Sequence, residues 1–134
     1  MINYINELKK LNNKAIINND VPVSCIIVYK NKIISKAYNK REYKNNPLLH
    51  AEIIAIQKAA KKLNTWNLSE CKLFVTLKPC NMCMEVIKES RIDEIYYILN
   101  NDKNVNRKVK LIEINCKDKQ YFVNQLKDFF SDKR

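Results

Sequence analysis

Residues 73–90 read LFVTLKPCNMCMEVIKES, and the fold turns on how this stretch changes character midway. Leu73 to Leu77 is a short apolar run containing Phe, Val and Thr, residues that suit a half-buried pleated surface. Pro79 has no N–H to give to a sheet, so it ends the strand, yet its fixed φ suits the first turn of a helix. From there the chain reads as helix to about Ser90. Cys80 and Cys83 fall on the first turn of that helix, where residues three apart project from the same side. A helix N-terminus also favours thiolates through its free N–H groups and partial positive charge.

The same alternation of elements extends in both directions. Upstream, residues 2–18 place Ile2, Ile5, Leu8, Leu11, Ala15 and Ile16 at nearly helical spacing. Val23 to Tyr29 follows Pro22 as a buried strand, and Lys32 to Tyr38 pairs with it. The turn between them contains Asn31, which tolerates φ > 0 where Gly would be usual. Residues 39–48 are polar and end in Asn46-Pro47, a loop signal. Ala51 to Leu63 is helical. Downstream, Glu94 to Leu99 and Val109 to Ile114 read as strands. Asp118 to Phe130 is a helix whose apolar positions are Tyr121, Leu126, Phe129 and Phe130. The order α-β-β-α-β-α-β-β-α predicts a sheet with helices packed on its faces.

The chain has 134 residues, enough for one domain with its own core, and no linker or repeat divides residues 1–134. No apolar run approaches the ~20 residues of a membrane span, and the N-terminus lacks the layout of a secretory signal. No membrane partner and a cytoplasmic location are the expectations. There are 25 Lys and Arg against 14 Asp and Glu, a net charge of +11, which favours anionic partners such as nucleic acid. The absence of Gly and the wealth of Asn, Lys and Ile equally fit an AT-rich coding bias, which would raise the charge without building a site. Of the five cysteines, Cys25, Cys71 and Cys116 sit beside apolar neighbours and read as small buried hydrophobes.

The remaining two join the only histidine. His50, Cys80 and Cys83 supply three of zinc's four tetrahedral positions and leave the fourth for water, the arrangement of a catalytic site. Glu52, two residues from His50 at a helix start, points away from it. That places its carboxylate beside the water, where it can move protons. Zinc knuckles and ribbons use similar pairs but need four protein ligands, and there is no second Cys pair here. The joint pattern H-x-E…P-C-x-x-C matches a deaminase signature.

On these residues the chain resembles the bacterial tRNA-specific adenosine deaminases of the cytidine deaminase-like superfamily. Asp20 to Val28 looks like that family's early strand motif, with Ser24 in place of Gly. Pro47 and His50 to Ile53 look like its first metal motif, and Thr76 to Cys83 like its second, with Lys78 in place of Glu. Ser90-Arg91-Ile92, Asn106 to Ile114 and Leu126 to Phe130 continue the likeness. The resemblance implies a three-layer α/β/α sandwich around a five-stranded mixed sheet, one Zn2+ per chain and a homodimer. It also implies hydrolysis of adenosine to inosine at the tRNA wobble position. Glu52 would protonate N1 and assist the departing ammonia, and the backbone N–H of Cys80 would lie near the reacting oxygen. Asn39 would contact a base flipped out of the anticodon loop, with Val23 and Leu49 as further substrate contacts. Lys127, Phe129, Phe130, Lys133 and Arg134 are candidate RNA contacts, although a solvated helix face accounts for the charged ones equally well.

Three departures bear on the substrate. Met84-Glu85-Val86 replaces small residues, Leu48-Leu49 precedes His50 where smaller residues are usual, and the segment Leu99 to Asn106 is shorter by roughly twenty residues, in a region where loops often carry binding function. The alternatives are therefore a deaminase of a free base or nucleoside (cytosine, cytidine or guanine) and a non-catalytic, zinc-stabilised partner subunit.

Overall fold

A computed structural model describes residues 2–101 and 109–132. Nine elements follow in the expected order: α1 (Ile2–Ile17), β1 (Ser24–Tyr29), β2 (Lys32–Tyr38), α2 (Ala51–Leu63), β3 (Cys71–Leu77), α3 (Asn81–Glu89), β4 (Glu94–Leu99), β5 (Lys110–Glu113) and α4 (Lys119–Asp132). The five strands form one sheet in the order β2-β1-β3-β4-β5. β1 is antiparallel to both β2 and β3, whereas β3, β4 and β5 run parallel. This is the mixed sheet that the resemblance implies.

Strand alternation sorts the core into two layers, because successive side chains point to opposite faces. Cys25, Ile27, Leu73, Val75, Ile95 and Tyr97 face one side, where α2 and α3 add Ala51, Ile54, Ala55 and Ile87. Ile26, Val28, Phe74 and Ile98 face the other, against Ile5, Leu8 and Leu11 of α1 and Phe122 of α4. With both faces covered, β1, β3 and β4 read as nearly continuous apolar runs rather than alternating ones. The sandwich is thus α/β/α.

Glycine is absent, and asparagine takes over several of its backbone tasks. Asn19, Asn31, Asn45 and Asn64 all have positive φ, a region Asn enters more readily than most residues because its short side chain bonds locally. Asn31, at φ 64°, holds the β1–β2 turn as expected, and Lys30 shares it at φ 50°. Asn64, at φ 55°, ends α2 in the left-handed conformation, its N–H returning to Ala60 and Lys61 carbonyls.

Most element bounds agree with the sequence pattern within two residues. The face of α4 does not. Phe122 is its fully buried residue, with Val123 and Leu126 packed alongside, whereas Tyr121 and Phe130 are exposed. Ile16 likewise lies off the buried face of α1. Among the departures, Met84 is buried in the core and Glu85 is exposed, so α3 accommodates both without a buried charge. Among the described residues, no helix is long and apolar enough to cross a membrane.

Candidate functional site

α2 and α3 pack against each other with their N-termini at one end of the sheet. His50 is the N-cap of α2 and Cys80 the N-cap of α3; both are extended, and neither side chain caps its own helix. The two side chains are therefore free to turn toward each other. Cys83, one helical turn past Cys80, is fully buried.

His50 Nδ1 lies 3.4 Å from Cys83 Sγ and 3.8 Å from Cys80 Sγ. All three ligand atoms lie within 4.8 Å of one another. Zinc–sulfur and zinc–nitrogen bonds of ordinary length subtend a tetrahedral edge of about 3.6 Å, so the triangle has the size zinc requires. It is the one metal-ligating group found among the described residues, and Glu52 is not part of it. The protein donors thus number three.

The electrostatics suit this role. Hydrogen bonds from Cys83 and then His50 hold the Cys80 thiol down to about 3, well below a free cysteine, and the Cys83 N–H reinforces them. As donor to Cys80, and by its burial, Cys83 is pushed above the usual thiol range. His50 is raised chiefly by its hydrogen bond with Cys80. Glu52 is 4% exposed, and burial pushes its carboxyl up to about 7.

A cavity of about 290 Å³ opens onto this group, lined by Val23, Asn39, His50, Glu52, Cys80 and Phe130 among others. Asn39 Oδ1 accepts the Ala51 N–H at 2.8 Å, which satisfies one of the orphan donors of α2 and braces the turn that carries His50. That bond uses the amide oxygen and leaves the amide nitrogen as the donor available to the cavity. Arg41, Lys78 and Asn101 also line it. Larger open grooves run along α4, but the metal ligands lie outside them.

The loop carrying Arg41 is anchored by Asp20. Asp20 is fully buried. Its Oδ2 accepts the N–H groups of Glu42 and Tyr43 at 3.0 and 3.1 Å, and its Oδ1 accepts the Val21 N–H at 3.0 Å. Ser24, in the usual place of Gly, donates to the Leu8 carbonyl at 3.0 Å and joins α1 to the sheet.

Val23, Asn39 and Phe130 line the same cavity as His50, Glu52 and Cys80. Leu49 is not among its lining residues and packs against the core instead. Leu48 is exposed and also absent from the wall. Phe129 lines the groove between α1 and α4, and Lys127 a shallow depression on α4. Lys133 and Arg134, and residues 102–108 of the shortened segment, lie outside the described residues. Arg41 and Asn101 went unnoticed in the sequence, because loop residues carry no periodic signal.

A three-layer α/β/α domain with a His–Cys–Cys triangle at two helix N-termini and a buried carboxylate in the adjoining cavity defines a mononuclear zinc-site domain. The chain belongs to the family described as the cytidine and deoxycytidylate deaminase zinc-binding region, whose model matches residues 2–99. A tRNA-specific adenosine deaminase of Rickettsia bellii is 48% identical over 85 residues, covering 62% of this chain and 59% of the relative. The enzyme of that name from Bacillus subtilis is 36% identical over 94 residues, covering 70% and 58%. The chain thus spans less than two thirds of the length of these curated relatives. A structure from a study of A-to-I editing by tRNA:A34 deaminases aligns with a TM-score of 0.78 at 23% identity, covering 84% of this chain and 98% of that one. A Bacillus subtilis guanine deaminase aligns at 0.66 and 23%, covering 90% and 91%. These two likenesses establish the shared fold.

Proposed function

We propose that this protein is a zinc-dependent hydrolytic deaminase that converts adenosine to inosine at the wobble position of tRNA. The observation that carries the chemistry is Glu52, buried in the same cavity as His50 and Cys80 yet outside the metal-ligating triangle. The wobble substrate is supported by the similarity to relatives bearing that name.

His50, Cys80 and Cys83 would hold the zinc, which when bound acts as a Lewis acid and makes water a competent nucleophile near neutral pH. Glu52 accepts a proton from the attacking water and passes one to ring N1. Glu52 then takes the remaining proton from the new C6 hydroxyl and delivers it to the amino group, so that the C6–N bond breaks, ammonia leaves and the C6 carbonyl of inosine remains. Helix polarity at Cys80 favours negative charge on the reacting oxygen, which its backbone N–H would face. Asn39 presents its amide N–H to an acceptor on the base, and its bond to Ala51 fixes that orientation. Val23 supplies an apolar wall. The cavity, near the low end for ligand sites, suits one flipped nucleoside. The chain would act as a homodimer in the cytoplasm, its mass in solution being read by light scattering.

The test offers the zinc-loaded protein an anticodon stem-loop with a wobble adenosine alongside free cytosine, cytidine and guanine. Inosine in the stem-loop is the expected product. Turnover of the free bases or nucleosides alone would replace this reading with a small-molecule deaminase. Failure on every substrate with zinc in place would favour the non-catalytic subunit.

A further inference from the structure

Building on the deaminase reading, we infer that the last turn of α4 is a lid, with Phe130 closing over the base that enters the metal cavity. Phe122, Leu126 and Phe130 fall four residues apart, so they form one stripe on successive turns of the helix. Phe122 is 1% exposed in the core, Leu126 is partly buried against it, and Phe130 is 50% exposed. The stripe loses its packing where it reaches the cavity, since Phe130 lines the same space as His50, Glu52 and Cys80. The ring there lacks the burial of its two predecessors. A base bound in the cavity would supply it, because an aromatic face stacks on a base of any kind.

The fastenings of α4 are placed to match. Asp118, just before the helix, pairs with Lys9 of α1 at 2.9 Å, and Lys119 pairs with Glu113 of β5 at 3.0 Å. Tyr121 and Gln125 bond to Asn12 and Asn13 of α1. These ties hold the first half of the helix and give the last turn a firm base. Phe129 meets Phe130 edge-on at 5.4 Å, a contact inside the turn that moves with it. Phe130 also borders the depression formed with Leu126, Lys127 and Ser131, so its ring has open space on two sides and room to swing. A helix end with little buried apolar contact opens locally at low cost. Closed, the turn would cover the base, exclude bulk water and hold the substrate against Glu52.

The experiment follows amide hydrogen exchange in the zinc-loaded full chain carrying Glu52→Gln, so that ligand binds without turnover. Spectra are taken alone and with a saturating anticodon stem-loop or adenosine. The same chain with Phe130→Ala or Phe130→Tyr is compared, with zinc content and melting temperature confirming the fold. Without ligand, amides 127–131 are expected to exchange about tenfold or more faster than amides 123–126. Ligand is expected to slow the 127–131 amides by about tenfold and to leave 123–126 nearly unchanged. Phe130→Ala is expected to abolish that slowing and to weaken binding by about five- to a hundredfold, whereas Phe130→Tyr keeps the ring and retains both. Binding that leaves amides 127–131 unchanged would overturn the lid. So would slowing that survives Phe130→Ala, because the turn would then be ordered by contacts elsewhere on the helix. Inosine formation is read separately with Glu52 in place. Slowing without inosine keeps the lid and removes the wobble reading, and inosine without slowing removes the lid alone. If neither probe binds, both fall.

Discussion

Replacing Asp20 tests whether the cavity wall depends on a buried anchor remote from the metal. The carboxylate is fully buried and accepts three backbone N–H groups, at 3.0, 3.0 and 3.1 Å. A hydrogen bond to a charged group contributes about 1.5–3 kcal/mol, but Glu42 and Tyr43 are exposed residues, so water can satisfy their N–H groups once the loop loosens. Discounting for that, Asp20→Ala is expected to destabilise the fold by about 2–4 kcal/mol. Asp20→Asn keeps one carbonyl oxygen, which can still serve Glu42 and Tyr43, and loses the charge and the Val21 bond. It is expected to cost about 1–2 kcal/mol. Urea unfolding reads both. With a slope of about 2 kcal/mol per molar, the alanine midpoint should fall by about 1–2 M and the asparagine midpoint by half as much. The alanine variant should also turn over the stem-loop more slowly, because the loop that brings Arg41 to the cavity wall loses its placement. A midpoint within 0.25 M of wild type, by the same approximate slope, would refute the anchor.

Other substitutions probe the core, the turns and the metal. Ile27→Ala, at a fully buried position of the central β1, is expected to cost about 2–5 kcal/mol in denaturant unfolding. Lys30→Asn relieves a long side chain held at φ 50° and should stabilise by about 0.5–1 kcal/mol, seen as a higher melting temperature. An unchanged or lower one would contradict the turn geometry. Cys83→Ser and His50→Ala should each drop bound zinc from about one per chain toward zero by elemental analysis, since two donors remain. Zinc added to the stripped protein should release protons, because Cys83 is held protonated by its bond to Cys80 and by burial, and a ligating thiol must lose its proton. A pH indicator in weak buffer would show the release.

The sequence showed where the elements lie, because strands buried on both faces leave apolar runs and helices leave a 3.6-residue period. It also singled out His50, Cys80 and Cys83, the three residues whose donor atoms converge into a group that could hold a metal, since they fall at helix starts that Pro47 and Pro79 help to mark. The face of α4 escaped it. Tyr121, Phe122, Phe129 and Phe130 are all aromatic and lie close together, so periodicity could not say that Phe122 is the one inside. Leu49, a substrate contact by the resemblance, packs against the core and is not among the cavity's lining residues, since adjacent residues at a helix start point in different directions. Arg41 and the anchoring role of Asp20 left no signal, because a loop held by backbone hydrogen bonds to a distant carboxylate has no pattern along the chain. Lys78 was visible as a departure from the family, and only the cavity shows what it faces.

The most direct test of the account compares wild type with Glu52→Gln on the anticodon stem-loop, with zinc content measured in the same samples. Gln keeps the shape of the buried side chain and cannot shuttle protons. The account predicts equal zinc, about one per chain, and a loss of inosine formation by a factor on the order of 10²–10⁴. Equal zinc with undiminished inosine formation would contradict the role given to Glu52 and, with it, the mechanism.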